Sequence, residues 1–215
     1  MRAPVSPRRA TRGRVLAGTV AAVLGVVMVT GCGTGSREEL GPRVFGVAVE
    51  GTPPGLSQLG EIRDLVGKTP EEVTWYVSWS LHSDFPAAGA ARTAASGAIP
   101  SLTWEPWDPA AGTEQPVYAL DRITAGDHDA YIGRWAEQVR SYGDPVVIRF
   151  AHEMNADWYP WSEQVNGNGP GEYVAAWRHV VDIFRARQVW NVTWSWSPNM
   201  PYVGGTDLAE LYPGD

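Results

Sequence analysis

One cysteine, Cys32, stands among the 215 residues, so no intrachain disulfide can hold the fold together. Nucleophile and metal motifs are missing too. There is no G-x-S-x-G turn for a serine hydrolase. "HEMNA" (152–156) falls short of the zinc-protease pattern H-E-x-x-H because position 156 is Ala. The four histidines, His82, His128, His152 and His179, lack metal-ligand spacing, so no metal site is expected. No glycine-rich phosphate turn follows the first strand-like run, where "VEGTPPGLS" (49–57) stands. That disfavours a nucleotide-binding fold, and no cofactor is expected. Positive charge is scarce beyond residue 31: 12 basic residues face 24 acidic ones, a net of −12. Such a surface repels nucleic acid and suits a neutral substrate.

The positive charge that exists is concentrated at the start. Arg2, Arg8, Arg9, Arg12 and Arg14 precede "VLAGTVAAVLGVVMVTG" (15–31), which is uncharged and apolar. This pattern is that of a secretory signal; at seventeen residues it lies at the short end of what spans a bilayer. "VTGC" ends the run and resembles the lipobox of bacterial lipoproteins, in which the cysteine is lipidated and becomes the new N-terminus. The resemblance implies a signal over 1–31, a lipid anchor at Cys32 to the bacterial cell membrane and an extracytoplasmic location. Residues 32–42 then form a polar tether, and 43–215 the folded domain.

Two periodicities alternate through that domain. "RVFGVAVEG" (43–51), "EVTWYVSWS" (72–80), "IPSLTWEPW" (99–107), "PVVIRFAHE" (145–153) and "NVTWSWSPN" (191–199) are β-branched, aromatic and nearly continuous in apolar character. Strands of a parallel sheet covered on both faces have this composition. Helical spacing falls between them at 57–67, 85–96, 128–142 and 171–187. Gly143 closes the third helix, and Pro170 suits the first turn of the fourth. Repeated β/α units imply right-handed crossovers and a parallel sheet. A doubly wound sheet and a (β/α)8 TIM barrel both satisfy this. The barrel is favoured because Glu50, Trp79, Glu105, Trp107, Glu153, Trp194, Trp196 and Asn199 gather at strand C-termini, where barrel active sites are built. The segments 108–127 and 154–169 are long loops at the same end.

Eleven tryptophans are abundant for this length. Trp135 and Trp177 sit on helix stripes and read as core, and Trp75, Trp190 and Trp194 suit it too. Trp79, Trp104, Trp107, Trp158, Trp161 and Trp196 lie at or just past strand ends. A flat ring at a wet cleft suits the C–H face of a sugar, and nearby Glu105, His152 and Asn155 suit its hydroxyls. About half of these rings are expected to plug the barrel top instead, since large aromatics dominate packing. Glu153 is the candidate general acid, because carboxyls walled by aromatic rings hold the proton a glycosidase must deliver. The residues alone leave open a structural carboxylate paired with Arg149.

"RFAHEMNADWYPW" (149–161) resembles the fourth-strand motif of glycoside hydrolase family 26, whose best-known members are endo-β-1,4-mannanases. "YVAAWRHVVDIFRARQVWNVTWSWSPN" (173–199) is similar to that family's next helix and strand, and "YPGD" (212–215) to the turn towards its sixth. The resemblance implies a (β/α)8 barrel, a retaining mechanism on a mannan-type polysaccharide, Glu153 as acid/base, and His152 and Trp158 lining the sugar site. Ala156 stands where many relatives have Gly. About five β/α units fit into these residues, whereas a barrel typically needs about 250 residues. The family's nucleophile, a glutamate after strand seven, has no match, and Glu50 and Glu105 are not at its position. The expectation is therefore a fragment inactive by itself. The alternative is a non-catalytic, lipid-anchored glycan-binding protein with a degenerate barrel.

Overall fold

The computed structural model describes residues 44–48, 56–201 and 205–214. The signal, Cys32, the tether and Glu50 lie outside these residues. Five strands run parallel in the order β1 (Gly46–Ala48), β2 (Glu72–Ser78), β3 (Ile99–Glu105), β4 (Val146–Phe150) and β5 (Val192–Trp194). Between them run α1 (Leu56–Val66), α2 (Ala87–Ala95), α3 (Leu120–Thr124) with α4 (Asp129–Tyr142), and α5 (Glu172–Ala186). Sequential neighbours in one parallel sheet, with a helix in every crossover, are five units of a (β/α)8 barrel.

The sheet has a dry face and a wet one, because alternate side chains of a strand point to opposite sides. Val73, Trp75 and Val77 of β2, Leu102 and Trp104 of β3, and Val146, Ile148 and Phe150 of β4 are all buried and belong to one apolar core. Helices α4 and α5 cover that core with Trp135, Val139, Trp177 and Phe184. Trp104 stacks on Trp135 at 4.7 Å and meets Phe184 at 6.0 Å. The intervening residues are polar except for Val147: Thr74, Tyr76 and Ser78; Ser101, Thr103 and Glu105; then Arg149 and Thr193. Both faces were expected to be apolar; the inner one is not, because it forms the wall of a cleft.

The ends of the helices have local causes. Gly143 adopts φ 82° as the left-handed cap of α4, and its N–H bonds the Val139 carbonyl at 3.3 Å. Helix α5 begins at Glu172, so Pro170 lies just outside it. Its start is tied to the preceding loop in both directions: Glu163 Oε1 of the loop accepts from the helix's Tyr173 N–H at 3.0 Å, and Glu172 Oε2 of the helix accepts from the loop's Gly169 N–H at 2.8 Å. The segment 108–127, expected as a loop, carries a 3-10 turn (Pro116–Tyr118) and the five-residue α3, both too short to show a period.

Trp104 is wholly buried, and its indole N–H also bonds the Tyr131 hydroxyl at 3.2 Å. Trp104→Ala is expected to lower stability by ~3–5 kcal/mol, read as a shift in the urea midpoint. A loss below about 1 kcal/mol would place this ring outside the packed core.

Candidate active site

The sequence around β4's end forces an unusual backbone. Ala151 and Glu153 both have positive φ, 45° and 54°. Residues with a Cβ avoid this region, at a cost of order 1–3 kcal/mol each. Hydrogen bonds to β3 and to the segment after β5 hold them there: the Ala151 N–H donates to the Trp104 carbonyl at 3.1 Å, and the Glu153 N–H to the Ser197 carbonyl at 2.8 Å. The turn continues with the Ala156 N–H bonding the Glu153 carbonyl at 3.1 Å.

Glu153 is partly exposed, and Trp158 Nε1 donates to its Oε2 at 3.0 Å. Trp158 itself is 43% exposed, the one indole of the 149–161 motif that presents an open ring. Among the described residues no ion pair joins Arg149 to Glu153. Arg149 Nε instead donates to Thr103 Oγ1 at 2.9 Å, Nη1 reaches Ser197 Oγ at 3.4 Å, and the guanidinium lies 5.7 Å from the Tyr76 ring centre. The cation therefore lines the wet face among neutral partners.

His152 sits between the two kinks and is almost wholly buried. Its Nε2 lies 3.2 Å from the Tyr159 hydroxyl, and its Nδ1 has no partner. Burial, helped by the Arg149 charge, pulls its pKa down to about 3, so the imidazole is neutral at physiological pH. Burial pushes the Tyr159 phenol the other way, to about 12, aided by the charges of Glu105 and Glu153. Glu105, on β3 and 5% exposed, is the carboxyl beside this cluster that burial drives up, to about 7. The Trp107 indole and the Arg149 charge oppose that shift. Trp107 Nε1 lies against the carboxyl but does not meet it in hydrogen-bonding geometry.

Four residues expected to line the cleft do not. Trp104 faces α4 and α5, because it neighbours Glu105 in a strand and must point the opposite way. Trp196 lies on the same outer side, in a groove with Trp177, Trp194 and Tyr212. Trp161 is buried behind the cleft, stacked on Tyr159 at 4.3 Å with its N–H on the His152 carbonyl at 2.7 Å. Asn155 is fully buried and binds the segment after β5: Oδ1 accepts from the Asn199 N–H at 2.8 Å and Nδ2 donates to the Asn199 carbonyl at 3.1 Å. Trp161 and Asn155 thus position other groups. Trp79 is a plug too, packed on Trp104 and Phe150.

Glu153, Trp158, His152, Glu105 and Trp107 do gather, with Tyr159 among them: Trp107 packs on Tyr159 at 5.2 Å and His152 at 4.8 Å. Sequence reasoning missed Tyr76, Ser78, Thr103 and Tyr159. For the first three the signal was present as polar residues at every second position of β2 and β3; Tyr159 lies in the loop after β4, outside any strand period. The loop carrying Trp158 is anchored to segment 108–127 by Asn166, whose Oδ1 accepts from the Gln115 N–H at 2.7 Å and whose Nδ2 donates to the Gln115 carbonyl at 3.0 Å. Among the described residues no group of three or more His, Cys, Asp or Glu is placed to hold a metal ion.

A family model described as "Glycosyl hydrolase family 26" matches residues 77–215. The chain is 38% identical over 170 residues to Endoglucanase H of Acetivibrio thermocellus, covering 77% of this chain and 18% of that one. It is 29% identical over 83 residues to mannan endo-1,4-beta-mannosidase A and B of Caldalkalibacillus mannanilyticus, covering 36% and 16%. Among solved structures it resembles a β-mannanase from a symbiotic protist of the termite Reticulitermes speratus, in complex with gluco-manno-oligosaccharide: TM-score 0.58, 19% identity, 80% of this chain and 61% of that one. It also resembles a family 26 β-mannanase from Bacteroides ovatus, with TM-score 0.53, 19% identity and coverages of 72% and 52%. The chain thus spans less than a fifth of these curated relatives and 52% to 61% of these two solved chains.

The shifted groups make a testable pattern of stability. Folded Glu105 holds its proton up to about pH 7, whereas the unfolded chain releases it near 4.5. The folded state binds more protons in that window, so this group makes stability fall as pH rises through it, by roughly 3 kcal/mol in total. His152 acts in the opposite sense: the unfolded chain is protonated up to about 6.5 and the folded one only below about 3, so stability rises with pH there. The Glu105→Gln variant removes the first effect alone. It is expected to gain stability over the wild type progressively from pH 4.5 to 7, measured by urea unfolding at each pH. A difference that stays constant with pH would contradict the shifted carboxyl.

Proposed function

The chain belongs to glycosyl hydrolase family 26, and from that premise we propose that it is the site-bearing part of an endo-acting β-mannanase-like glycosidase that works by retention, with Glu153 as acid and then base. The observation that carries this reading is the position of Glu153: a strained, doubly tied backbone at a barrel strand's C-terminal end, its carboxyl bonded by an exposed tryptophan. In the first step the protonated Glu153 gives its proton to the glycosidic oxygen as the C1–O bond breaks. There the nucleophilic carboxylate takes the leaving group's place on C1, and in the second step Glu153 takes a proton from the water that attacks C1 and displaces that carboxylate. Trp158 holds one carboxyl oxygen by its N–H, leaving the other to face the leaving group, and offers its ring to a sugar face. Retention needs a second carboxylate about 5–5.5 Å away as nucleophile. No described residue is assigned that role. Burial raises Glu105 to about 7, so much of it is protonated at neutral pH, the wrong state for a nucleophile.

A mannan-type β-1,4-glycan is the substrate proposed, in line with the mannanases among the relatives. A β-glucan is the second reading, favoured because the relative of 38% identity is an endoglucanase by name. The lipid anchor at Cys32 and an extracytoplasmic position on the cell membrane complete the proposal, resting on the basic, apolar "…VTGC" leader.

In the longest product of the gene, Glu153→Gln is expected to lower kcat on galactomannan by about 10²–10⁴-fold with an unchanged melting temperature; activity within a few-fold of wild type would remove Glu153 from the chemistry. The 215-residue chain by itself is expected to release no reducing sugar from galactomannan or β-glucan. Cys32→Ser should abolish incorporation of labelled palmitate and free the protein from the membrane fraction. Retention in that fraction would refute the anchor.

A further inference from the structure

In a parallel sheet each helix returns the chain to the strands' N-terminal ends. Everything from a helix's last turn to the next strand's start therefore lies on one face, opposite the end that carries Glu153. Four such segments are described: 63–72, 92–99, 139–146 and 183–192. Hydrogen bonds knit them into one surface. The Glu71 N–H bonds the Phe45 carbonyl, just ahead of β1, and the Ile99 N–H bonds the Glu71 carbonyl, both at 2.8 Å. Asn191 Nδ2 donates to the carbonyls of Val139 at 2.9 Å and Asp144 at 2.8 Å, and Arg140 Nη1 to that of Arg187 at 3.1 Å. An open hollow lined by Ile99, Pro100, Asp144 and Pro145 lies between the two pairs of segments.

The chemistry of this face differs from that of the rest of the domain. Arg63, Lys68, Arg92, Arg140, Arg185 and Arg187 lie in these segments, six of the ten basic residues among those described. Of the twenty described acidic residues, four lie there: Asp64, Glu71, Glu72 and Asp144. The face is thus net positive on a chain that is acidic elsewhere. Arg63 pairs with Asp64 and Lys68 with Glu71, while Arg185 and Arg187 lie 3.5 Å and 3.8 Å from Asp182 and Glu137. Exposed pairs of this kind are weak and exchange partners readily. The same face exposes apolar side chains: Leu65 is 86% and Trp190 82% exposed, and Val44, Val66 and Ile99 are exposed too. Single surface hydrophobics are ordinary, but an indole and branched aliphatics among arginines are the composition of a surface at lipid headgroups. The indole suits the interface, and a guanidinium meets phosphate while its stem lies along apolar surface.

The length of chain ahead of the sheet names the occupant. Cys32 lies twelve residues before Val44, so an anchor there is at most about 40 Å of extended chain from this face. The chain enters the sheet at the N-terminal end of β1, on this face and not on the one that bears Glu153. Resting on the lipid anchor at Cys32, we propose that the face at the strands' N-terminal ends docks on an anionic lipid bilayer. Trp190, Leu65 and Val66 sit at headgroup level and the arginines meet the phosphates, so the cleft that bears Glu153 opens away from the membrane towards a polymeric substrate. The anchor keeps the face near the lipid, and a contact too weak to recruit a free protein still orients an anchored one. The acidic remainder of the surface is repelled by the same lipid and points outward.

The test uses the longest product of the gene, lipidated, in vesicles of phosphatidylcholine and phosphatidylglycerol whose phosphatidylcholine carries brominated acyl chains. Bromine quenches an indole that reaches the acyl boundary. Tryptophan emission is expected to fall relative to unbrominated vesicles, and Trp190→Phe should remove at least about half of that fall, whereas Trp158→Phe, at the opposite end of the barrel, should leave it unchanged. Arg92→Gln and Arg140→Gln should each lower the ratio of quenched to unquenched Trp190 by about fivefold, the worth of one basic residue at an anionic surface. Omitting phosphatidylglycerol should act in the same direction. A vesicle-bound protein whose emission ignores bromine, or whose quenching survives Trp190→Phe, overturns the docking face and leaves the anchor standing. Shielding of Trp190 from aqueous acrylamide in the Cys32→Ser protein without vesicles, as a second copy or a further domain seated there would cause, overturns it as well. A protein that takes up no acyl chain and does not sediment with vesicles overturns both the docking face and the anchor.

Discussion

The hydrogen bond from the Glu153 N–H to the Ser197 carbonyl is the constraint on which the site depends. A β4 that simply continued would send residue 153 along the strand axis into solvent, with its side chain on whichever face parity dictates. Instead the chain turns left-handed at 151, delivers His152 into the wall, and turns left-handed again at 153. Each turn is unfavourable alone. Each is tied to a different neighbour, the first to Trp104 on β3 and the second to Ser197 beyond β5. Asn155 doubles the second tie by gripping both backbone groups of Asn199. The barrel thus supplies the energy that a strained Glu153 needs, and the segment after β5 holds this residue chiefly through its backbone.

The same geometry separates the protonation states around it. His152, Glu105 and Tyr159 lie within one cluster, yet burial moves them in different directions: the base becomes a weaker base, the acids become weaker acids. Arg149 explains why the cluster tolerates this. It adds one fixed positive charge on the wet face, which lowers His152 further and holds Glu105 and Tyr159 short of the shift that burial alone would give. Because its hydrogen bonds go to Thr103 and Ser197, it shapes the field without neutralising any carboxylate.

The strand–helix order and the place of Glu153 at a strand's end were legible in the amino-acid pattern, because both rest on long signals: repeated β-branched runs, and a stripe such as Tyr173, Trp177, Val180 and Phe184 on α5. The facing of individual rings was less legible, although part of it followed from parity. Trp104 and Glu105 are adjacent in a strand and cannot both line one cleft; Trp194 and Trp196 share a side, so a core Trp194 carries Trp196 with it. Asn155 and Trp161 were hidden for a different reason. Both follow the strand, where parity no longer holds, and their partners, Asn199 and the His152 carbonyl, are fixed only once the turn has formed. The five-residue α3 offers too few turns for a period to register.

The distribution of unmet polar atoms separates scaffold from site. On the dry side, the unpartnered indole N–H of Trp135 and hydroxyl of Tyr173 are the edges of large rings whose burial outweighs a lost hydrogen bond. On the wet side, Ser78 and His152 are small polar groups with little apolar surface to offset the loss, so the same argument cannot account for them. A fold selected for stability alone would place an alanine at 78 and a phenylalanine at 152. Keeping both polar, next to a carboxyl whose neutral form is favoured by its surroundings, therefore has a cause other than packing.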